Sequence, residues 1–259
     1  FVVLDEPKAP MNPAWVSVLR YSCRWARQAS SWKVAADKLR NGVFNNCRYN
    51  GIKWFHRFEG WQKTEIGLES TEETFHLKTF LSQPSPLEGN CNALTNFLCC
   101  LITSVGINAI VQRTNRIVLY DEGRKGGRWT FKTKLIRPAG WTSNGYGQWG
   151  YHQIVLIETE GNYIWDGNLI FMDPLAIPMD MIRENPPPAG VEFGTRAHWE
   201  AEGCETYFCK LVDFNASYKP PPDEEGTHPD YRWETIHPNT KLMPPKLKVT
   251  ANPWESDGC

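Results

Sequence analysis

A chain of 259 residues, 41% hydrophobic and 22% charged, has the composition of a soluble globular protein and enough length for one large domain or two small ones. Its net charge of −1 gives no broad basic face, which argues against nucleic acid and anionic membranes as partners. No apolar run approaches the roughly 18 residues of a transmembrane helix, so neither a membrane span nor a signal peptide is expected.

The chain opens at Phe1 rather than Met, which reads as a processed or trimmed product or as a piece of a longer polypeptide. Residues 1–12 contain proline and read as extended. Over 15–39 the apolar residues Trp15, Val18, Leu19, Trp25, Trp32, Ala35 and Leu39 recur at helical spacing. This predicts one or two helices, with a break near Ser30-Ser31 and a stop at Asn41-Gly42. Residues 48–51 read as a turn. Residues 52–80 are aromatic and charged without a clean period, and Thr71-Glu72-Glu73-Thr74 predicts the start of a short helix to about 81. The prolines of 82–89 predict a loop. A helix is then expected from Cys91 to about 105, ended by Gly106.

Strands follow. Residues 109–114, 117–120, 129–133 and 151–158 are β-rich, Glu160-Gly161-Asn162 is a turn, and 163–166 reads as the return strand. Helices ahead of an antiparallel sheet make an α+β arrangement. One more strand is expected at 206–212. Three proline clusters punctuate the rest, and 219–259 reads as a polyproline-rich tail that wraps the domain or leads to a further domain or partner. Three parts result: an N-terminal helical part (1–80), a core of cysteine helix plus antiparallel sheet (81–180), and an irregular Pro-rich extension (181–259).

Eight cysteines are too sparse for a disulfide-built scaffold, although Cys204 and Cys209 are close enough to bridge. Cys99 and Cys100 lie inside an apolar helix and read as small hydrophobes. Asn215-Ala216-Ser217 is a glycosylation sequon of the kind that arises often by chance. His198 with Cys204 and Cys209 lacks the spacing of common zinc modules, and no calcium-binding loop is found, so no metal or cofactor is expected. The Arg124–Arg128 stretch and the paired carboxylates Glu72-Glu73 read as solvated charges. Twelve Trp suggest either a Trp-rich core or a cleft with aromatic walls, and the glycine-aromatic loop 145–150 is a candidate for such a wall.

Cys91 is the residue with the most chemistry around it. It follows a glycine turn and opens a helix, where the positive end of the helix dipole favours thiolate. His152 opens a later strand and Asp166 lies on the returning one. Nucleophile, base and orienter are thus present in chain order. A hairpin reversing around Gly161 pairs residue 152 with 170, so contact between His152 and Asp166 requires a bulge, a long reach or strand twist. Asp173 is the rival orienter in that register. Asp166 is preferred.

Gly89-Asn90-Cys91, then Phe97-Leu98 and Gly106-Ile107-Asn108-Ala109, resembles the transglutaminase-like cysteine superfamily, with a papain-like Cys-His-Asp fold. The resemblance covers roughly 35–175. It implies Cys91 as nucleophile, His152 as base and Asp166 as orienter. It also implies acyl transfer through a thioester on an amide of a peptide or protein substrate. Hydrolysis by a peptidase, amidase or deamidase is the expected outcome. A protein-crosslinking transglutaminase is the alternative, and so is a catalytically inactive binding module on the same fold, which Ala93, Gln153 and the Pro-rich tail motivate.

Overall fold

The structure is a computed structural model that describes residues 13–64, 67–116, 131–149, 152–157, 159, 161, 163–172, 182–183, 207, 211 and 231–235. Two helices come first, α1 (Pro13–Trp25) and α2 (Trp32–Asn46). The expected break lies between them. Ser31 caps α2, its side chain accepting the Val34 N–H at 3.3 Å. The stop expected at Asn41-Gly42 is not one, because α2 runs on to Asn46. A Cβ on Gly42 would lie 2.5 Å from the Trp25 ring. That glycine lets two helices approach closely; it does not end one.

Next come β1 (Cys47–Tyr49), β2 (His56–Thr64) and β3 (Gly67–Phe75). The antiparallel pairing of β2 with β3 overturns the helix expected from 71: Thr71 to Thr74 are strand, and only α3 (Leu77–Leu81) is helical. Branched threonines suit a strand, and the β2 partner supplies hydrogen bonds that an isolated turn of helix lacks. The loop expected over 82–89 contains β4 (Leu87–Gly89), which pairs in parallel with β1. Three residues carry too little pattern to show themselves, and this strand exists through its distant partner.

Helix α4 (Cys91–Ser104) has every residue buried. Its apolar residues are joined by buried Asn92, Thr95, Asn96, Thr103 and Ser104, so the helix is enclosed rather than amphipathic. The strands after it are β5 (Ala109–Arg116), β6 (Phe131–Lys132), β7 (Ile136–Pro138), β8 (Gln148–Trp149), β9 (Gln153–Ile157), β10 (Tyr163–Trp165), β11 (Leu169–Phe171), β12 (Ile182–Arg183) and β13 (Tyr231–Thr235). Five of them form one antiparallel sheet in the order β12-β10-β9-β5-β13. All five residues of β9 are buried. Helix α4 packs against β5 and β9 and against α1 and α2. Ser22 joins α1 to α4 through Ser104 Oγ at 2.8 Å and the Leu101 carbonyl at 3.1 Å. Helices and an antiparallel sheet around one core make this an α+β fold.

The part read as an irregular extension pairs with the central sheet where it is described. Strand β12 pairs with β10, and β13 pairs with β5. The Leu211 carbonyl accepts the Lys134 N–H at 2.9 Å. The strand expected at 206–212 is contradicted at Tyr207 and Leu211, which are helical and buried. Apolar residues at 207, 208, 209, 211 and 212 satisfy either period, so the pattern alone cannot choose. The strand expected at 117–120, the basic stretch 124–128, Asp173, His198, Cys204, Cys209 and the Asn215 sequon lie outside the described residues. Among the described residues no helix is long and apolar enough to cross a membrane.

Candidate active site

Cys91 occupies the first position of α4. Asn90 caps the helix, Oδ1 accepting the Ala93 N–H at 3.1 Å. Parallel pairing of β1 with β4 places Tyr49 opposite Gly89. A Cβ on Gly89 would lie 2.6 Å from the Ala93 Cβ, so only glycine lets the chain fold back over the first turn of α4. The approach is fixed further by the Asn50 N–H donating to the Gly89 carbonyl at 2.8 Å and the Asn90 N–H to the Lys53 carbonyl at 3.1 Å. The Cys91 Sγ donates to Asn92 Oδ1 at 3.4 Å. Cys91 is 8% exposed, whereas His152 and Asp166 are at 0%. All three are buried, Cys91 the least completely.

His152 Nε2 lies 2.6 Å from Asp166 Oδ2. The strand register explains the contact. Tyr163 faces Ile157 and Trp165 faces Val155, so continuing the register carries His152 to Asn168, not to residue 170. Asp166 is then the diagonal neighbour two residues back on the same face, within side-chain reach. The sheet pairing ends at Trp165, and Asp166 turns the chain out: its Oδ1 accepts the Asn168 N–H at 2.6 Å, an Asx turn.

Four further groups hold this pair. Tyr207 O–H donates to Asp166 Oδ2. Arg40 Nε donates to the Asp166 carbonyl at 2.9 Å, and its Nη2 to the Leu169 carbonyl at 3.2 Å. Thr95 O–H donates to the Gln153 carbonyl at 2.8 Å, and Asn168 Nδ2 donates to Thr95 Oγ1 at 3.0 Å. That last chain ties the first turns of α4 to the residue after His152 and to the turn carrying Asp166. Burial by itself would raise the Asp166 carboxyl. The charge and hydrogen bond of His152, with the bonds from Tyr207 and Asn168, outweigh it and hold the group below the usual aspartate value.

The chain matches no protein-family model, no curated protein and no solved structure.

What the site can do therefore rests on its own groups. Trp149 stacks on the His152 ring, centroids 4.9 Å apart and planes at 25°. The Tyr49 hydroxyl is pushed well above the ordinary phenol range, by burial first and then by the negative charge of Cys91 and Asp166. Tyr49 thus lies in the field of both groups and stays a neutral O–H donor at all moderate pH. Cys47 is pushed by burial up to about 12, and Cys99 and Cys100 are likewise raised by burial, so these thiols stay protonated. Among the described residues no cluster of three His, Cys, Asp or Glu is placed to hold a metal ion.

Tyr207, Arg40, Thr95, Asn168 and Tyr49 were not singled out by sequence. Asp166-Gly167-Asn168 is a turn triplet, and that signal alone was available for the Asx turn. Tyr207 carries no local signal, because its role depends on a chain segment 41 residues beyond Asp166.

Proposed function

We propose that this chain is a cysteine-dependent acyl-transfer enzyme on a transglutaminase-like core. It hydrolyses an amide of a peptide or protein, with Cys91 as nucleophile, His152 as base and Asp166 as orienter. The observation that carries the reading is the buried His152 Nε2–Asp166 Oδ2 contact at 2.6 Å, on a frame hydrogen-bonded to the helix that Cys91 opens. With Nε2 held by the carboxylate, Nδ1 is the nitrogen that takes the Cys91 proton. The thiolate attacks the carbonyl carbon and forms a tetrahedral intermediate, whose oxyanion accepts a hydrogen bond from the Cys91 main-chain N–H at the helix start. The carbon–nitrogen bond then breaks, and the imidazolium gives its proton to the leaving amine. Water, deprotonated by His152, attacks the thioester and releases the acid and the thiol.

Site-resolved alkylation by limiting iodoacetamide at pH 7 tests this. Cys91 should label at least about tenfold faster than Cys47, Cys99 and Cys100. His152→Gln and Asp166→Asn, each checked for folding by thermal melting, should remove that advantage. A Cys91 no faster than the buried thiols in the wild-type chain ends the catalytic reading.

A further inference from the structure

Beside the proposed site lies a cavity of about 290 Å³ whose walls include Tyr49, Ile136, Pro138, Trp141, Tyr146 and Trp149. Trp149 is a shared wall, since the same ring stacks on His152. Tyr49 is the second link, being the residue opposite Gly89 at the start of α4. Among the described lining residues none is charged. Trp141 spends its ring N–H on the Tyr49 carbonyl at 2.9 Å, which fixes the ring and leaves its faces as apolar surface. Trp141 and Tyr146 are 47% and 74% exposed, large aromatics left open to solvent. A Cβ built on Gly145 meets nothing within 4 Å, so this lining residue leaves open space where others would carry a side chain.

We propose that this cavity is the specificity pocket of the same site, and that it takes an uncharged aromatic or large aliphatic side chain of the peptide next to the reacting amide. The inference rests on the acyl-transfer reading for what reacts, but its geometry is independent of it. Aromatic walls give large apolar contact and favourable edge-to-face or offset stacking with a flat guest. A volume near the lower limit of small-molecule sites, roughly 300 Å³, suits one side chain and is small for a nucleotide cofactor. The absence of a carboxylate or cation in the described lining leaves a charged guest unpaired and costs its desolvation.

The test is binding to the full chain carrying Cys91→Ser, so that nothing turns over. The probes are acetyl-Gly-Phe-Gly-amide, acetyl-Gly-Lys-Gly-amide and acetyl-Gly-Glu-Gly-amide, read by calorimetry or protein NMR. The Phe peptide should bind about tenfold or more tightly than the charged pair. Trp141→Ala, which removes one aromatic wall, and Tyr146→Ser, which removes another, should each abolish most of that preference. The second variant keeps the test valid if the first fails to fold. Equal binding of the three peptides, a preference that survives both substitutions, or binding of an oligosaccharide in place of the Phe peptide would overturn the pocket. The two readings fail separately: slow Cys91 alkylation in the wild-type chain removes the chemistry and leaves a peptide-binding pocket, whereas fast alkylation without Phe preference removes the pocket alone.

Discussion

Tyr207 and His152 hydrogen-bond to the same oxygen, Oδ2 of Asp166. Oδ1 is held by the Asn168 N–H. With donors on both oxygens the carboxylate cannot rotate, and the imidazole it faces is fixed in one orientation. Removing the phenol should loosen that. Tyr207→Phe is expected to cost about 1.5–3 kcal/mol of stability, the range for hydrogen bonds to charged groups. On the proposed acyl-transfer reading it should lower kcat more than it raises KM, and it should move the acid limb of the rate profile to higher pH, because one of the contacts that lower Asp166 is gone. Urea unfolding and a pH–rate profile read both. An unmoved acid limb would mean Tyr207 only fills space.

Asp166 also makes stability depend on pH. Its folded value lies below the ordinary 3.8. A depressed carboxyl stabilises the fold fully above the unfolded value, and that contribution disappears as pH falls through the folded value. Glu88 is lowered too, by hydrogen bonds from Lys53 and Asn50 first, but it sits near solvent and its share is screened. Asp166→Asn should therefore flatten the unfolding free energy measured in urea between about pH 5 and about pH 2. An unchanged slope would assign the acid sensitivity to other groups.

The chain Asn168 Nδ2 to Thr95 Oγ1 to the Gln153 carbonyl is one unit, so its parts should not add. Thr95→Val keeps shape and removes the hydroxyl. Asn168→Ala removes the donor. Each is expected to cost about 1–2 kcal/mol, with a coupling energy of about 1 kcal/mol in the double-mutant cycle. Both should slow Cys91 alkylation, because the frame between α4 and β9 is what they share. Strict additivity would break this account.

How much of this was legible depends on where the determining contact lies. The place of Cys91 at a helix start was legible because its signals are local: a glycine turn and an apolar run of helical length. The pair His152 and Asp166 was legible in order but not in register. A reversal centred on Gly161 carries residue 152 to 170, whereas the observed pairing of Ile164 with Leu156 carries it to 168 and closes the diagonal to Asp166. Strand β4 and the hairpin β2–β3 were missed for different reasons. Strand β4 is made by pairing with the distant β1, whereas the β2–β3 hairpin is local but its strands are polar and charged without a clean alternation. Tyr207 was hidden in a segment whose apolar residues fit two periods.

Gly42 shows the converse error, a glycine read as a stop that is a packing device. Gly42→Ala puts a Cβ 2.5 Å from the Trp25 ring. Helix propensity favours Ala by about 1 kcal/mol. Overpacking costs about 1–3 kcal/mol and should win, because Trp25 also packs on Tyr21 and Phe97 and has little room to yield. The expected result is a lower melting temperature. A higher one would mean that the Trp25 ring yields to the added methyl.

Arg40 gives the last prediction, and it links α2 to the turn that carries Asp166. Its side chain is only 3% exposed. Nε and Nη2 reach the Asp166 and Leu169 carbonyls, Nη1 reaches Asn41 Oδ1 at 2.7 Å, and the guanidinium lies 5.1 Å from the Phe44 ring centre. One planar group thus spans the turn that presents the carboxylate. Arg40→Lys supplies a point charge that cannot reproduce a two-carbonyl fork. It should lose about 1–3 kcal/mol, and Arg40→Met, which strands both carbonyls, should lose about 2–4 kcal/mol. Neither change touches the thiol, yet both should slow Cys91 alkylation at pH 7, since a displaced Asp166 no longer orients His152. If Arg40→Met unfolds in the same urea concentration as the wild-type chain and Cys91 reacts as fast, the turn holds itself and α2 has no part in positioning the site.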